Sequence, residues 1–301
     1  MSTLDELRGA IASVAERVGT SIVSVGRDGR GSGVVVADGQ VLTNAHNLRG
    51  RELTVTFADG RSSRGEVRGI DADGDLAVVA VDTAGATPAA WGSAESASIG
   101  TPVFGAAGTF GGGVRVTLGF VSSVARSFRG PGGRRISGSI EHTAPLAPGS
   151  SGGALLDAEG RLIGLNTNRI GEGFYLALPA DAAFQSRVGA LGKGESVERP
   201  RLGVAIAPNH VARRLRRSVG LPERDGILVR GVEEGSAAAA AGIQVGDLIV
   251  SAGGRPIADP DDLQDALASL TPPYDIVIVR GADEKTLSVT EVKPRRTRGD
   301  A

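Results

Sequence analysis

The sequence predicts a mainly β protein with two domains, on the basis of three observations. The chain has 301 residues, which is long enough for two domains that each bury a core. Glycine is abundant, at 46 residues, and aromatic residues make up only 3%, as is usual for short strands joined by tight turns. About a dozen strand-like runs fill the first ~180 residues without alternating helices, which favours β-barrels over a parallel sheet.

A helix is predicted over residues 3–18, before the first strand. Apolar residues recur there at helical spacing with charged residues between them, and Gly19 ends the pattern; the apolar residues are Leu4, Leu7, Ile11, Val14 and Val18. The segment is too short and too polar to span a membrane. It also lacks the basic start, apolar run and cleavage site of a signal peptide. We therefore expect a cytoplasmic protein, or a periplasmic or otherwise extracytoplasmic one if the sequence is part of a longer chain.

After residue 19 the hydrophobic pattern changes from helical to alternating. Turns that contain Gly and Asp, such as residues 37–39 and 58–60, separate the apolar runs. The predicted strands of the first domain are Ser21–Val25, Gly33–Ala37, Val41–Asn44, Leu53–Phe57, Gly65–Ile70, Leu76–Val81, Pro102–Ala107, Val114–Val124, Ile136–Thr143, Ala154–Leu156 and Arg161–Thr167. This spacing is typical of an all-β barrel or sandwich.

Three residues in this β-rich region have side chains suited to hydrolysis. Ser151 lies in a glycine-rich stretch, which leaves room for an acyl group and backbone N–H groups for an oxyanion. His46, one of three histidines, follows a strand and is a candidate general base. Asp75 begins a strand, where its carboxylate can accept the imidazole N–H. Each residue alone could be an ordinary turn or capping residue, but the order His, Asp, Ser is that of the double-β-barrel serine proteases.

The motifs around these residues resemble those of bacterial HtrA-type, DegP-like serine proteases. Residues 43–46 (TNAH) are similar to the histidine box of that family, residues 75–78 (DLAV) to its aspartate box, and residues 148–153 (PGSSGG) to its serine box. The resemblance implies a trypsin-like double β-barrel over residues 1–188 and a small α+β PDZ domain over residues 201–294. A linker over residues 189–200 and a tail over residues 295–301 complete the predicted domain organisation.

The resemblance also implies a role for each site residue. Ser151 would attack the scissile carbonyl, His46 would take and return the proton, and Asp75 would orient His46. The predicted oxyanion hole consists of Gly149, Ser150 and Ser151, with the N–H groups of the first and last as donors. The predicted S1 pocket, which takes the residue before the scissile bond, is lined by Pro145, Leu146, Asn166, Thr167 and Asn168. None of these is acidic, so we expect a small or aliphatic residue there instead of Lys or Arg.

For the C-terminal domain, the resemblance implies a groove that binds the C-terminus of a peptide. Backbone N–H groups of the turn at residues 202–203 would bind the carboxylate, and the strand at residues 204–206 would pair with the peptide. The predicted peptide-binding residues are Leu202, Gly203, Val204, Ile206, Leu263 and Leu267. They favour an apolar last residue on the peptide. An ordinary core role is the alternative, and it is at least as strong for Leu267.

Composition argues against several other classes of function. Without cysteine the chain has no disulfide and no thiolate chemistry, and without a spaced His/Asp/Glu cluster no metal or other cofactor is expected. The net charge is −1, and the basic runs at residues 129–135 and 213–217 lack interleaved aromatic residues, so nucleic acid is not an expected partner.

Three functions are consistent with these patterns. The first is an ATP-independent endopeptidase for unfolded or damaged proteins, which acts in protein quality control. The second is a catalytically silent peptide-binding or chaperone-like scaffold, and the third is a processing protease with one native substrate. A homotrimer is an assembly that the resemblance implies, although residues 1–50 contain none of the aromatic residues through which relatives trimerise.

Overall fold

The computed structural model of the protein describes residues 2–129, 135–169, 173–196 and 202–290. The chain divides into two compact units, Met1–Val197 and Glu198–Ala301. The first unit contains a helix and two closed six-stranded barrels, and the second contains a six-stranded sheet with short helices. The mainly β fold class predicted from the sequence is therefore confirmed.

Helix α1 spans Thr3–Val18, the range that the periodicity predicts. Ser2 caps it: the Ser2 hydroxyl accepts the N–H of Asp5, and the Asp5 carboxylate accepts the N–H of Ser2. Only its C-terminal half is buried in the core, since Val14 and Val18 are inaccessible whereas Leu4 is 75% exposed. None of the helices in the described ranges is long and apolar enough to cross a membrane.

The first barrel is antiparallel throughout and closes in the order β1-β2-β3-β6-β5-β4. Its strands are β1 (Ile22–Val25), β2 (Gly31–Ala37), β3 (Gln40–Thr43), β4 (Glu52–Thr56), β5 (Ser62–Asp71) and β6 (Leu76–Ala80). The interior is filled by valines that are fully buried: Val23, Val25, Val35, Val41, Val55 and Val79. Branched side chains of this size pack well on the curved inner face of a small barrel.

The second barrel closes in the order β10-β11-β12-β9-β8-β7. Its strands are β7 (Pro102–Gly108), β8 (Val114–Arg129), β9 (Arg135–His142), β10 (Ala154–Leu156), β11 (Leu162–Arg169) and β12 (Tyr175–Pro179). The sequence analysis did not predict β12, because four of its five residues are buried and the run shows no alternation. It pairs with both β11 and β9 and so completes the barrel.

Helix α2 spans Ala182–Gly192 and begins at Asp181, whose carboxylate accepts the N–H of Phe184. The predicted linker over residues 189–200 therefore starts too early. Residues 189–192 are helical, and Leu191 is fully buried in the core of the first unit. Glycines near the helix end made this segment look like a linker in the sequence. Residues 197–200 of that linker lie outside the described residues.

The second unit has strand order β13-β14-β15-β17-β18, with β16 paired to β15. Its elements are β13 (Val204–Ala207), α3 (Asn209–Ser218), β14 (Ile227–Val232), α4 (Ala237–Ala240), β15 (Leu248–Ala252), β16 (Arg255–Pro256), α5 (Pro260–Ser269), β17 (Tyr274–Arg280) and β18 (Asp283–Val289). The basic run at residues 213–217 lies on α3 but is not wholly solvated, because Arg216 is buried and donates to the carbonyls of Pro222 and Gly281. Residues 201 and 291–301, which include the predicted tail, lie outside the described residues.

Candidate active site

His46 and Asp75 meet at one end of the first barrel. His46 lies in the turn Ala45–Asn47 directly after β3, and Asp75 directly precedes β6, the antiparallel neighbour of β3. The imidazole Nδ1 lies 3.0 Å from Asp75 Oδ1 and 2.8 Å from Oδ2. An ionised carboxylate only accepts hydrogen bonds, so this contact keeps the proton on Nδ1 and leaves a lone pair on Nε2. His46 is thereby prepared to act as a general base.

The Asp75 carboxylate is buried and held by several donors. Besides the imidazole it accepts the backbone N–H of His46 at 3.0 Å and the hydroxyl of Thr167 at 2.8 Å. The backbone of Asp75 is left-handed, with φ 56°, and its carbonyl accepts the side-chain amide of Asn44. These contacts hold a conformation that is uncommon for a residue other than glycine. The carboxylate is consequently fixed in position before substrate arrives.

Ser151 lies in the loop that leads into β10. Its hydroxyl donates to the carbonyl oxygen of Thr167 at 3.0 Å. To act as a nucleophile, the hydroxyl must turn from this carbonyl to Nε2 of His46, a contact that often tightens only when substrate is bound. Thr167 therefore touches two of the three predicted catalytic residues: its hydroxyl donates to Asp75 and its carbonyl accepts from Ser151.

Two backbone N–H groups beside Ser151 are available for an oxyanion. In the described part of the chain, no hydrogen bond occupies the N–H of Gly149 or of Ser151. Gly149 has φ 87°, and a Cβ there would lie 2.4 Å from the carbonyl oxygen of Gly29, so only glycine fits. The N–H of Ser150 donates to the carbonyl of Ala147 at 3.2 Å. Its inclusion in the predicted oxyanion hole was therefore wrong, because that N–H is already used within the turn.

The residues predicted to shape the S1 pocket lie in two segments on either side of Ser151. Asn166 is fully buried, and its side chain donates to the carbonyl of Ala154, so it contributes only main chain to a pocket. Pro145 is exposed and its carbonyl accepts the hydroxyl of Thr117, whereas Leu146 is half-buried. The side chain of Asn168 lies outside the described residues. That these residues form S1 stays a prediction.

His142 is a buried residue of the site region to which the sequence analysis assigned no role. It is inaccessible, stacks on Tyr175 at a centroid distance of 5.8 Å, and its Nε2 lies 3.0 Å from Oδ1 of Asn166. Since the Asn166 amide nitrogen donates elsewhere, Oδ1 is the acceptor and His142 carries its proton on Nε2. Burial lowers the pKa of His142 from 6.5 to about 4, against the opposing effect of the hydrogen bond to Asn166.

This lowered pKa predicts a loss of stability in acid. Between pH 6.5 and about 4 the unfolded chain binds a proton at His142 that the folded chain does not, so the free energy of unfolding falls as the pH falls. The loss attributable to His142 is on the order of 3 kcal/mol at pH 4. We expect His142→Gln, which does not titrate but can still donate to Asn166, to flatten this part of the pH dependence.

Urea unfolding of the wild type and variants at pH 4.5 and 7 measures the effect. His210→Gln is the matched control, because it replaces an exposed histidine on α3, in the unit that does not contain His142. Equal pH dependence in the wild type and His142→Gln would contradict the assignment.

Some of the predicted peptide-binding residues lie in the hydrophobic core of the second unit, and others lie on the edge strand β13 of its sheet. Leu202, Leu263 and Leu267 are at most 6% exposed and belong to the core, which supports the core alternative for Leu267. Val204 and Ile206 are half-buried on β13, which pairs only with β14 among the described strands. No hydrogen bond within the described residues uses the N–H groups of Leu202 or Gly203. An open strand edge beside free N–H groups is the arrangement that peptide addition requires.

Within the described residues no group of three or more His, Cys, Asp or Glu side chains could hold a metal ion. The arrangement that the structure does place together is a serine hydroxyl, an imidazole held by a buried carboxylate and two free N–H groups. This constellation is suited to acyl transfer from an amide through a covalent intermediate.

Comparisons with known proteins agree with this chemistry. The family description "Trypsin-like peptidase domain" matches residues 31–165, and "PDZ domain" matches residues 228–279. HhoA of Synechocystis sp., a serine protease by name, is 35% identical over 285 residues, which cover 89% of this chain and 71% of HhoA. A DegP-like protein of Halomonas elongata, named as a periplasmic serine endoprotease, is 30% identical over 269 residues, and the match spans 56% of its length.

Solved structures are similar over nearly the whole chain. The HtrA-type protease AlgW with a bound decapeptide has a TM-score of 0.69 and 26% identity, and the match covers 95% of this chain and 99% of AlgW. The fold, the contact between His46 and Asp75, and the sequence identity lead to the same assignment. The chain belongs to the HtrA/DegP-like family of serine proteases, in which a trypsin-like peptidase domain is followed by a PDZ domain.

Proposed function

We propose that this serine endopeptidase cleaves unfolded or damaged proteins without ATP, and that its PDZ domain binds the C-termini of peptides. The observation that carries the proposal is the buried Asp75 carboxylate on Nδ1 of His46, which stands beside the Ser151 loop with its two free N–H groups. No nucleotide-binding motif accompanies it in the sequence. Protein quality control is the process that such an activity serves.

The geometry of the site supports the following reaction sequence. The Ser151 hydroxyl oxygen attacks the scissile carbonyl carbon while Nε2 of His46 takes the hydroxyl proton. The N–H groups of Gly149 and Ser151 bind the resulting oxyanion, each contributing about 3–4 kcal/mol to its stabilisation. His46 then gives its proton to the leaving amine, and the same base activates the water that hydrolyses the acyl-enzyme. Asp75 stabilises the imidazolium in both steps.

The substrate is an extended segment of polypeptide. A chain must be locally unfolded to bring one carbonyl to Ser151, which favours unfolded proteins over compact ones. AlgW, an HtrA-type relative, has been solved with a decapeptide and with a tripeptide. The absence of an acidic residue from the predicted S1 set supports cleavage after small or aliphatic residues.

The PDZ domain supplies a second peptide site in this proposal. Val204 and Ile206 present apolar surface along the open edge of β13, so a peptide with an apolar last residue fits best. Its carboxylate would be bound by the free N–H groups at residues 202–203.

Two properties of the proposal rest on the family. A homotrimer is supported by the resemblance and by apolar surface on α1, where Leu4 is 75% and Leu7 is 42% exposed. A periplasmic location is supported by the DegP-like relatives, which are named as periplasmic serine endoproteases.

A catalytically silent scaffold is the second candidate function. One observation favours it: the Ser151 hydroxyl donates to Thr167 and not to His46. In a scaffold this arrangement would persist when peptide is bound. In an enzyme it is a resting state, which substrate converts by a rotation of the hydroxyl.

Degradation of casein, an unfolded substrate, separates the candidates. We expect the protein to cleave casein but not a stably folded protein of similar size, and a peptide with an apolar C-terminus to increase the rate. The same peptide with an amidated C-terminus is the matched control, because it lacks the carboxylate. Peptide binding without any casein cleavage would support the scaffold, and cleavage of a single native protein alone would support the processing protease.

A further inference from the structure

Asn47 directly follows the proposed general base His46, and its side chain reaches the residue that carries the nucleophile. The amide Nδ2 of Asn47 donates to the backbone carbonyl oxygen of Ser151 at 2.9 Å. Its second hydrogen goes to the hydroxyl of Thr43, also at 2.9 Å. Both donor positions of the amide are thereby used.

The carbonyl that Asn47 binds is held by a second donor from the first barrel. Ser32, at the start of β2 and fully buried, donates its N–H to the Ser151 carbonyl at 2.8 Å. Its hydroxyl donates to the carbonyl of Gly149 at 2.8 Å, and its own carbonyl accepts the hydroxyl of Thr43 at 2.6 Å. One connected network therefore fixes the carbonyls of both residues whose N–H groups form the oxyanion hole.

The second barrel fixes the other side of the same loop. The N–H of Gly152 donates to the carbonyl of Asn166, and the N–H of Asn166 donates to the carbonyl of Gly153. The packing leaves no free space, since a Cβ at Gly152 would lie 2.2 Å from the carbonyl oxygen of Ser32. A shift in the turn that bears His46 is accordingly transmitted to Ser151 through the Asn47 amide.

We propose that Asn47 is a positioning residue. Its amide joins the turn after β3, which bears His46, to the loop that bears Ser151, and so fixes the position of these two residues relative to each other. This inference rests on the proposed endopeptidase activity. Proton transfer from Ser151 to His46 requires the two side chains to meet after the hydroxyl leaves Thr167. A displacement of about 1 Å at such a step costs on the order of 100-fold in rate. Loss of Asn47 should lower kcat about 10- to 100-fold and change KM by less than about twofold.

Two variants test the inference. Asn47→Ala removes the amide, and Asn47→Asp keeps its shape but, when ionised, has no hydrogen to donate. Asn209→Ala is the matched control, an asparagine on α3 outside the catalytic unit. A fluorophosphonate probe that labels reactive serine counts competent sites, so kcat can be expressed per labelled site. Both Asn47 variants should show reduced kcat per labelled site with KM preserved, and Asn209→Ala should match the wild type.

The outcomes separate this inference from the proposed function. If the wild type is not labelled, or Ser151→Ala is labelled equally, the endopeptidase proposal fails. If the wild type is labelled and the Asn47 variants keep wild-type kcat per labelled site, the positioning role is overturned. The same holds if only their labelled fraction falls together with Tm, because that pattern indicates a merely structural role.

Discussion

Ser151→Ala should lower kcat for an unfolded substrate about 10⁶-fold, the scale at which a serine protease loses its nucleophile. In this structure the Ser151 hydroxyl lies beside the free N–H groups of the proposed oxyanion hole, and hydrogen bonds through Thr167 and Asp75 connect it to His46. Alanine has no oxygen with which to form the acyl-enzyme. A residual acceleration of about 10³-fold over water should persist, because the oxyanion hole and the binding surfaces remain.

The measurement is casein cleavage at high enzyme concentration. The intact mass of the Ser151→Ala protein is determined as well, to show that no acyl-enzyme forms. The fold should be unaffected, since the variant loses one hydrogen bond, to the Thr167 carbonyl, whose net contribution is about 1 kcal/mol. Peptide binding by the PDZ domain should equal that of the wild type. Cleavage by purified Ser151→Ala at more than about a hundredth of the wild-type rate would mean that another residue is the nucleophile.

The contact between His46 and Asp75 could be predicted from the sequence because each residue lies next to a strand end within a local motif. His46 follows β3 and Asp75 precedes β6, so the antiparallel pairing of these two strands is enough to bring the side chains together. Strand β12 escaped prediction for a physical reason: a strand buried on both faces shows no alternation of apolar and polar residues. Helix α2 was not predicted, because the glycines near its end are typical of a linker and not of a helix.

Contacts between distant segments could not be predicted from local pattern. The serine box predicts that residues 149–151 surround an oxyanion, but only the turn geometry shows that the Ser150 N–H is used by Ala147. The bond from Asn47 to Ser151 joins residues 104 positions apart, and the bond from Thr167 to Asp75 joins residues 92 apart. His142 and Asn166 meet only because β9 and β11 both pair with β12. The sequence contains these residues but no local signal of their partners.

Asp75→Asn should lower kcat about 10⁴-fold while the protein stays folded. Oδ1 of Asp75 accepts the backbone N–H of His46, so an amide nitrogen at that position would place two donors against each other. The amide nitrogen therefore takes the position of Oδ2, 2.8 Å from Nδ1 of His46. There it donates to Nδ1, which must then be unprotonated, and the ring proton moves to Nε2. An imidazole with its proton on Nε2 cannot accept the proton of Ser151, so the general base is lost although its position is unchanged.

Asp71→Asn is the matched control for this variant. Asp71 is also a buried carboxylate, at the end of β5, but it binds Arg187 at 3.2 Å and the N–H of Gly74 instead of the imidazole. Its replacement should lower the free energy of unfolding and leave kcat per labelled site near the wild-type value. Nitrogen NMR of His46 should report the change of tautomer in Asp75→Asn alone. If Asp75→Asn kept more than about a tenth of wild-type kcat, the orientation of His46 would have to come from the backbone of the turn, and not from the carboxylate that the structure places on Nδ1.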